Sequence, residues 1–228
     1  MSHDRADFVS EVTNFVSSIV VAGGSGLRFG QRKQFADLAG RSVLEHTLDT
    51  ATKASNATVV VVPADVVAAT RQSLGATKTI VVAGGSTRAE SVRAGLASVP
   101  AETTIVLVHD AARPLASTDL FARVIAEVAS GAAAVIPVVD VADSIRHING
   151  EVVDRSELRA VQTPQGFAVE ALRAAHESGA DASDDATLVS ALGGTVHTIP
   201  GEPENRKLTV PSDLVVAEAL LSAQSKEA

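Results

Sequence analysis

Short β-branched apolar runs alternate with amphipathic helical patterns up to residue 139, and this alternation constrains the fold more than any other feature. Each run is bounded by glycine, proline or polar residues, as buried strands are. Strands are predicted at 18–21, 58–62, 79–82, 104–108 and 133–139. Helices are predicted between them at 42–53, 65–74, 88–98 and 118–130. The pattern therefore predicts an α/β fold with a Rossmann-like, doubly wound and mostly parallel sheet.

The alternation stops after Val139. The stretch VDVADSIRHINGEVVDRSELRAVQTPQGF has no long helical pattern, and its Asn149-Gly150 dipeptide favours a tight two-residue hairpin turn. We predict an extended β-hairpin arm at about 139–160. The alternative is an ordinary connecting loop, which would be long for a compact domain. Helices are predicted again at 169–177 and 184–192, strands at 195–199 and 208–210, and a closing helix from Pro211.

Composition restricts the kind of protein. The 228 residues and 46% apolar content fit one main domain with a sizeable core, predicted at 15–228 after a flexible extension at 1–14. A net charge of -8, with no Trp or Tyr, argues against nucleic-acid binding. The absence of cysteine excludes disulfides, thiolate metal sites and a cysteine nucleophile. Without a signal-peptide pattern or a long apolar run, we expect a cytoplasmic protein with no membrane partner.

A glycine cluster follows the first predicted strand, in SSIVVAGGSGLRFGQRKQF at residues 17–35. It does not match the dinucleotide fingerprint, because Phe29 stands where glycine or alanine is needed, and the Walker Gly-Lys-Ser/Thr spacing is absent. The small residues still let backbone amides approach phosphate oxygens, and Arg28, Arg32 and Lys33 follow closely. Triphosphate binding is therefore favoured over a plain tight turn.

Further motifs follow this loop in an order that resembles the 2-C-methyl-D-erythritol 4-phosphate cytidylyltransferases of the non-mevalonate isoprenoid pathway. The resemblance runs over about 17–221, with AGGSGLRFGQRKQF, AGGSTRAESV, VLVHDAARP, DRSELRAVQTPQGF, SDDATLV and NRKLTVPSDL as the matching segments. It implies a nucleotidyltransferase-type fold and an enzyme that converts CTP and methylerythritol 4-phosphate to 4-diphosphocytidyl-2-C-methyl-D-erythritol and pyrophosphate. It also implies Mg²⁺ as a cofactor.

For catalysis, the resemblance indicates Arg28 and Lys33, which would stabilise charge on the transferring phosphoryl group. The attacking phosphate is already ionised, so no general base is required. Ser91 is expected to bond the cytosine base and Arg88 to brace its loop. The implied nucleotide-binding residues are Ala22, Gly23, Gly24, Gly26, Gly84, Gly85, Arg88, Ser91 and Ala111.

For the second substrate, the resemblance implies a separate set of residues. They are Arg155, Lys207, Asp110, Arg113, Ser144, Thr163 and Ser183. Asp110 would either bond substrate hydroxyls or orient a magnesium ion through its waters, whereas His109 is interpreted as a packed or exposed neighbour. In the family the arm crosses to a second subunit, so we expect a homodimer in which Ser144 and Arg155 are donated across the interface.

Three alternative functions compete with the one that this resemblance implies. The nearest is a cytidylyltransferase of the same fold that acts on another polyol phosphate, such as ribitol 5-phosphate. A nicotinamide oxidoreductase is disfavoured by the failed dinucleotide fingerprint. A non-catalytic nucleotide-binding regulator would be expected to lack at least one of Arg28, Lys33, Arg155 and Lys207, and all four are present.

Overall fold

The computed structural model describes residues 14–24, 29–30, 32–182 and 184–227. The strands are β1 (Val16–Val21), β2 (Asp37–Leu38), β3 (Arg41–Ser42), β4 (Ala57–Val62), β5 (Thr79–Ala83), β6 (Ile105–Asp110), β7 (Ala134–Asp140), β8 (Ile145–Arg146), β9 (Val152–Val153), β10 (Arg159–Val161), β11 (Gln165–Ala168) and β12 (Val196–Pro200). The α-helices are α1 (Val43–Ala54), α2 (Val67–Leu74), α3 (Arg88–Leu96), α4 (Thr118–Ala129), α5 (Val169–Glu177), α6 (Asp185–Ala191) and α7 (Ser212–Glu227).

An eight-stranded sheet forms the centre of the molecule, in the order β10-β7-β11-β6-β1-β4-β5, with β12 also paired to β7. The strands β5, β4, β1 and β6 run parallel to one another, whereas β11 runs antiparallel between β6 and β7. In the sheet, β1 has β4 on one side and β6 on the other. The direction in which successive parallel strands are added therefore reverses between β1 and β6. The predicted mostly parallel α/β sheet is confirmed.

Helices cover both faces of the sheet, as a doubly wound fold requires. Alternate residues of β1 point to opposite faces: Val20 joins a core cluster with α1 and α4, and Ile19 joins a second cluster with α3, α5 and α6. A third, smaller cluster packs Phe29 and Leu38 against Leu208 and the apolar side of α7. This cluster brings the C-terminal part of the chain to the segment that follows the glycine loop.

The predicted hairpin arm is present but short. Strands β8 and β9 pair antiparallel, and the His147 N–H donates to the Glu151 carbonyl at 2.8 Å. The Gly150 N–H donates to the His147 carbonyl at 2.8 Å, and Gly150 has φ of +93°. The predicted two-residue turn is therefore wrong; a three-residue loop with glycine in the left-handed region closes the hairpin.

The predicted strand at 208–210 is also wrong. The Asp213 carboxylate accepts from the backbone N–H groups of Thr209 and Val210, at 2.6 and 2.9 Å. Since these donors serve the start of α7, they are not available to a strand ladder. The predicted extension at 1–14 lies almost entirely outside the described residues, and its role stays a prediction.

None of the helices in the described part of the chain combines the length and the apolar character needed to cross a membrane.

Candidate active site

A cavity of about 320 Å³ opens at the carboxyl ends of β1 and β6, where the strand order reverses. Ligands of open α/β sheets bind at this position, because loops from neighbouring strands diverge there. The glycine loop after β1, the turn between β5 and α3, and the residues after β6 line the cavity, together with Lys33 and Lys207. Segments far apart in the sequence therefore meet at one site.

The described part of the first glycine loop is held by an amide side chain. Gln34 is buried, and its Nε2 donates to the carbonyls of Ala22 and Gly24 at 2.7 and 3.3 Å. A Cβ added to Gly24 would meet nothing within 4 Å, so this backbone is open to a ligand. Sequence reasoning missed Gln34, because a glutamine beside a lysine carries no distinctive signal. Gly26 and Arg28, predicted here, lie outside the described residues.

Lys33 lies in a short 3₁₀ turn, Lys33–Phe35, directly after the loop. Its side chain lines the cavity, and Nζ donates to the Leu208 carbonyl at 2.7 Å. The neighbouring Arg32 is directed elsewhere, because its guanidinium pairs with Asp65 at 2.8 Å on the surface. The structure thus directs Arg32 away from the cavity and brings Lys33 to it.

The second glycine loop leads into α3, whose first turn faces the cavity. A capping box between Thr87 and Glu90 starts the helix. Gly85 and Arg88 line the cavity, and so does Ser91, whose Oγ donates to the Thr87 carbonyl at 3.0 Å. Because the hydroxyl hydrogen is used in this bond, Ser91 presents acceptor lone pairs to a ligand.

Gly84 does not line the cavity itself but packs against Ser91, which does. A Cβ there would approach Ser91 Oγ to 2.7 Å and Val61 Cγ1 to 3.1 Å. The same hydroxyl lies 3.3 Å from a Cβ added to Gly23 of the first loop. The two glycine loops therefore enclose Ser91 between them, as only small residues allow.

Asp110 ends β6 at the cavity wall between two cations. Its Oδ2 lies 2.7 Å from Lys207 Nζ, and its Oδ1 lies 3.7 Å from Arg88 Nε. Burial would raise the pKa of Asp110, but the charges of Lys207 and then Arg88 outweigh it and lower the pKa to about 2. The carboxylate is therefore ionised at neutral pH. Four of the predicted site residues, Arg88, Asp110, Ala111 and Lys207, line one cavity.

Arg88 is also tied to the interior of the protein. Its Nη1 lies 2.6 Å from Oδ2 of Asp185, and Oδ1 of Asp185 lies 3.0 Å from His176 Nε2. Burial tends to lower the pKa of Arg88, but Asp185 and then Asp110 reverse this and raise it. Arg88 thus bridges two carboxylates, and its role in bracing the loop stays a prediction. Sequence reasoning missed Asp185 and His176 as partners.

A buried hydrogen-bond chain supports Asp110 from behind. The Asp110 N–H donates to Thr163 Oγ at 3.0 Å, which lies 3.0 Å from His109 Nδ1. Burial lowers the pKa of His109 to about 4, so the ring is neutral, and its Nε2 lies 3.2 Å from the Arg113 carbonyl. The only consistent arrangement has the Thr163 hydroxyl donating to Nδ1 and Nε2–H donating to Arg113. His109 is thus packed, and the substrate contact of Thr163, which lies behind the wall, stays a prediction.

Three further predicted residues, Arg113, Ser144 and Arg155, are not among the described residues that line the cavity. The Arg113 guanidinium donates to the carbonyls of Asn205 and Val161, at 2.7 and 3.2 Å. Ser144 and Arg155 are exposed on the arm, where Arg155 donates to the Ala142 carbonyl. Ser183 lies outside the described residues. Roles for these residues stay predictions.

The described residues contain no group of three or more His, Cys, Asp or Glu that could hold a metal ion. At the described cavity wall the acidic side chain is Asp110, which already faces Lys207 and Arg88. This donor set fits contact with the waters of a magnesium ion carried by nucleotide phosphates, because Mg²⁺ commonly keeps its waters. It does not form a dedicated metal cage.

The sheet order, the glycine-lined cavity at its switch point and the cations around it define an α/β protein of the nucleotidyltransferase class. A family model described as 2-C-methyl-D-erythritol 4-phosphate cytidylyltransferase matches residues 16–223. The chain belongs to this family.

Individual relatives agree with this assignment. The chain is 49% identical to the 2-C-methyl-D-erythritol 4-phosphate cytidylyltransferase of Rhodococcus opacus (strain B4), over 90% of this chain and 95% of that protein. The structure resembles that of the enzyme of the same name from Thermus thermophilus, with a TM-score of 0.76 and 38% identity, over 90% of this chain and 98% of the other. It also resembles 4-diphosphocytidyl-2C-methyl-D-erythritol synthase from Anaerococcus prevotii, with a TM-score of 0.80 and 29% identity, over 92% and 99%.

Proposed function

We propose that the chain transfers the cytidylyl group of CTP to 2-C-methyl-D-erythritol 4-phosphate, in isoprenoid precursor biosynthesis. A phosphate oxygen of the acceptor forms a bond to the α-phosphorus of CTP, and the bond from this phosphorus to the bridging oxygen breaks. The products are 4-diphosphocytidyl-2-C-methyl-D-erythritol and pyrophosphate. The observation that carries the proposal is the cavity in which Lys33, Arg88 and Lys207 surround an open glycine loop.

The cations solve the main physical problem of this reaction, which is the repulsion between two anionic phosphate esters. Lys33, together with Arg28, would neutralise the negative charge that moves toward pyrophosphate as the transition state forms. Lys207 lies at the exposed rim of the cavity, with 46% of its side chain accessible, and would attract the acceptor phosphate. The chain needs no general base, since the acceptor phosphate is ionised at neutral pH.

The base would be selected at the second glycine loop. The exocyclic amine of cytosine is a donor, and Ser91 presents an acceptor at the cavity wall because its own hydrogen is used by Thr87. Uracil carries an acceptor at the same ring position and would leave Ser91 opposed by another acceptor. This arrangement supports CTP over UTP.

The acceptor half of the site would be completed by a second copy of the chain. The arm that carries Ser144 and Arg155 is exposed, and it includes the fully exposed Ile148 and the largely exposed Val152. Exposed apolar side chains on a projecting hairpin favour contact with another molecule. The proposed assembly is therefore a homodimer in which each chain donates Ser144 and Arg155 to the cavity of its partner.

The proposed cofactor is magnesium, and Asp110 is the residue that would contact its waters. When bound, the ion would neutralise part of the triphosphate charge. The proposed location is the cytoplasm, as expected from the sequence.

The test is pyrophosphate release by the purified protein with CTP and magnesium. Three parallel reactions contain methylerythritol 4-phosphate, ribitol 5-phosphate or no acceptor. We expect release with methylerythritol 4-phosphate only. Turnover with ribitol 5-phosphate and none with methylerythritol 4-phosphate would reassign the acceptor, and release in none of them would reject the activity.

A further inference from the structure

The proposed reaction does not explain a buried carboxylate behind the nucleotide cavity. Asp185, the first residue of α6, is only 1% exposed and is not among the described residues that line the cavity. Its partner Arg88 does line it. A buried carboxylate is costly unless each oxygen is bonded, so its presence at this point needs a reason.

Asp185 is bonded on both sides by residues of other helices. Oδ2 lies 2.6 Å from Nη1 of Arg88 on α3, and Oδ1 lies 3.0 Å from Nε2 of His176 on α5. His176 is itself 4% exposed. These contacts hold the carboxylate in one orientation and, through it, the guanidinium of Arg88.

Two cations contact Asp110, and they differ in how firmly the protein holds them. Arg88 has a second, buried anchor in Asp185, and its side chain is 24% exposed. Lys207 meets Asp110 at the cavity rim with its side chain 46% exposed. Phosphate oxygens can compete for the exposed pair, because its partners are partly solvated, but they cannot reach the contact behind Arg88.

We propose that Asp185, supported by His176, is a positioning residue that fixes Arg88 as a rigid part of the cavity wall. With Arg88 fixed, Asp110 keeps its place when a nucleoside triphosphate enters, and Lys207 can leave Asp110 for a substrate phosphate. Without Asp185, the guanidinium would turn toward Asp110 or the triphosphate and misplace the nucleotide. The inference rests on the proposed function for the identity of the nucleotide.

Asp185→Asn tests this role, because it removes the charge and keeps the side-chain shape. We expect the KM for CTP to rise and kcat/KM for CTP to fall about tenfold to a hundredfold, as small misplacements of bound substrate do. The KM for methylerythritol 4-phosphate should change little. Asp181→Asn is the matched control. Asp181 also bonds the start of α3, where it accepts from the Thr87 hydroxyl at 2.9 Å, but the partner of Arg88 is Asp185. The Asp181→Asn variant should therefore keep the wild-type kcat and the wild-type KM for CTP.

A double-mutant cycle with Arg88→Met shows whether Asp185 acts through Arg88. In that case Asp185→Asn adds little to the loss that Arg88→Met causes alone. If Asp185→Asn does not fold, as judged by urea unfolding, His176→Gln provides the same test, with a smaller rise in the KM for CTP. A wild-type KM for CTP in either folded variant, or fully additive losses in the cycle, would overturn the inference.

The wild-type reaction separates this inference from the proposed function. If the wild-type protein releases no pyrophosphate, the proposed function fails. CTP titration by calorimetry then still tests the positioning role, and the expected result is weaker binding to Asp185→Asn than to Asp181→Asn. Equal binding to the two variants would overturn the inference.

Discussion

At the scale of single residues, Asp110 links the charge of the cavity to the stability of the fold. Lys207 and Arg88 hold its pKa at about 2, below the ordinary value of 3.8, against the opposing effect of burial. A carboxyl with a lowered folded-state pKa stabilises the protein above its unfolded pKa, and this contribution disappears as the pH falls through the folded pKa. The relevant window is therefore between about pH 4 and pH 2.

Asp110→Asn removes this titrating group. On going from pH 5 to pH 2, the wild-type free energy of unfolding should fall by about 2 kcal/mol more than that of the variant. Urea unfolding at several pH values measures both curves, and the other acidic residues are common to the two proteins. Parallel curves would show that the ion pairs at Asp110 contribute nothing to folding.

The sequence identified individual residues of the site better than their contacts. Lys33, Asp110 and Lys207 were predicted because each stands in a recognisable motif, and all three line the cavity. Asp185, which bonds Arg88, and Gln34, which bonds the first glycine loop, were not predicted. The burial of a polar side chain depends on which elements pack around it. Arg88 and Asp185 are 97 positions apart, and no local pattern relates them.

At the scale of secondary structure, five strands of the central sheet were predictable because their β-branched runs are mostly apolar. The strands β1, β4, β5, β6 and β7 all lie within a few residues of the predicted ranges. Strands β10 and β11 were missed, because the first is exposed and the second contains Gln165 and Gly166. Neither shows the apolar pattern on which a strand prediction depends.

The two glycine loops allow a prediction that separates folding from ligand binding. In Gly85→Ala the new Cβ would lie 2.3 Å from Glu90 Cβ and 2.6 Å from its carboxylate, so the capping box of α3 must shift. We expect a loss of about 1–3 kcal/mol in the free energy of unfolding, the usual cost of overpacking.

Gly24→Ala is the matched variant in the first loop. Its Cβ would meet no protein atom within 4 Å, so stability should change by less than about 0.5 kcal/mol. CTP binding should weaken, because the methyl group would occupy the backbone surface that faces the phosphates. Urea unfolding and CTP titration of both variants measure the two effects. Equal loss of stability in the two would contradict this account of the loops.

At the scale of the whole molecule, the exposed arm predicts subunit complementation. Lys33→Met and Arg155→Ala chains should each be nearly inactive as homodimers. If Arg155 acts in the neighbouring cavity, a mixed dimer contains one site with both residues intact, and an equimolar mixture should recover about a quarter of wild-type activity. Pyrophosphate release after mixing and refolding measures the recovery.

Arm exposure also provides the control for that experiment. Ile148→Asp changes a side chain that is fully exposed, so the chain should fold but no longer associate. Sedimentation should show monomers, and complementation should be lost in this background. Unchanged dimers, or no recovery in the mixture, would mean that the arm does not complete a neighbouring site.

The proposed reaction depends on cations that bring two phosphate esters together at the first loop. The most direct test is the rate of pyrophosphate release by Arg28→Met/Lys33→Met with CTP and methylerythritol 4-phosphate. Arg32→Met serves as the control, because Arg32 pairs with Asp65 on the surface. We predict that kcat falls at least about a thousandfold in the double variant, as when preorganised charge is removed from a transition state, and stays unchanged in the control. A normal rate in the folded double variant would contradict the account.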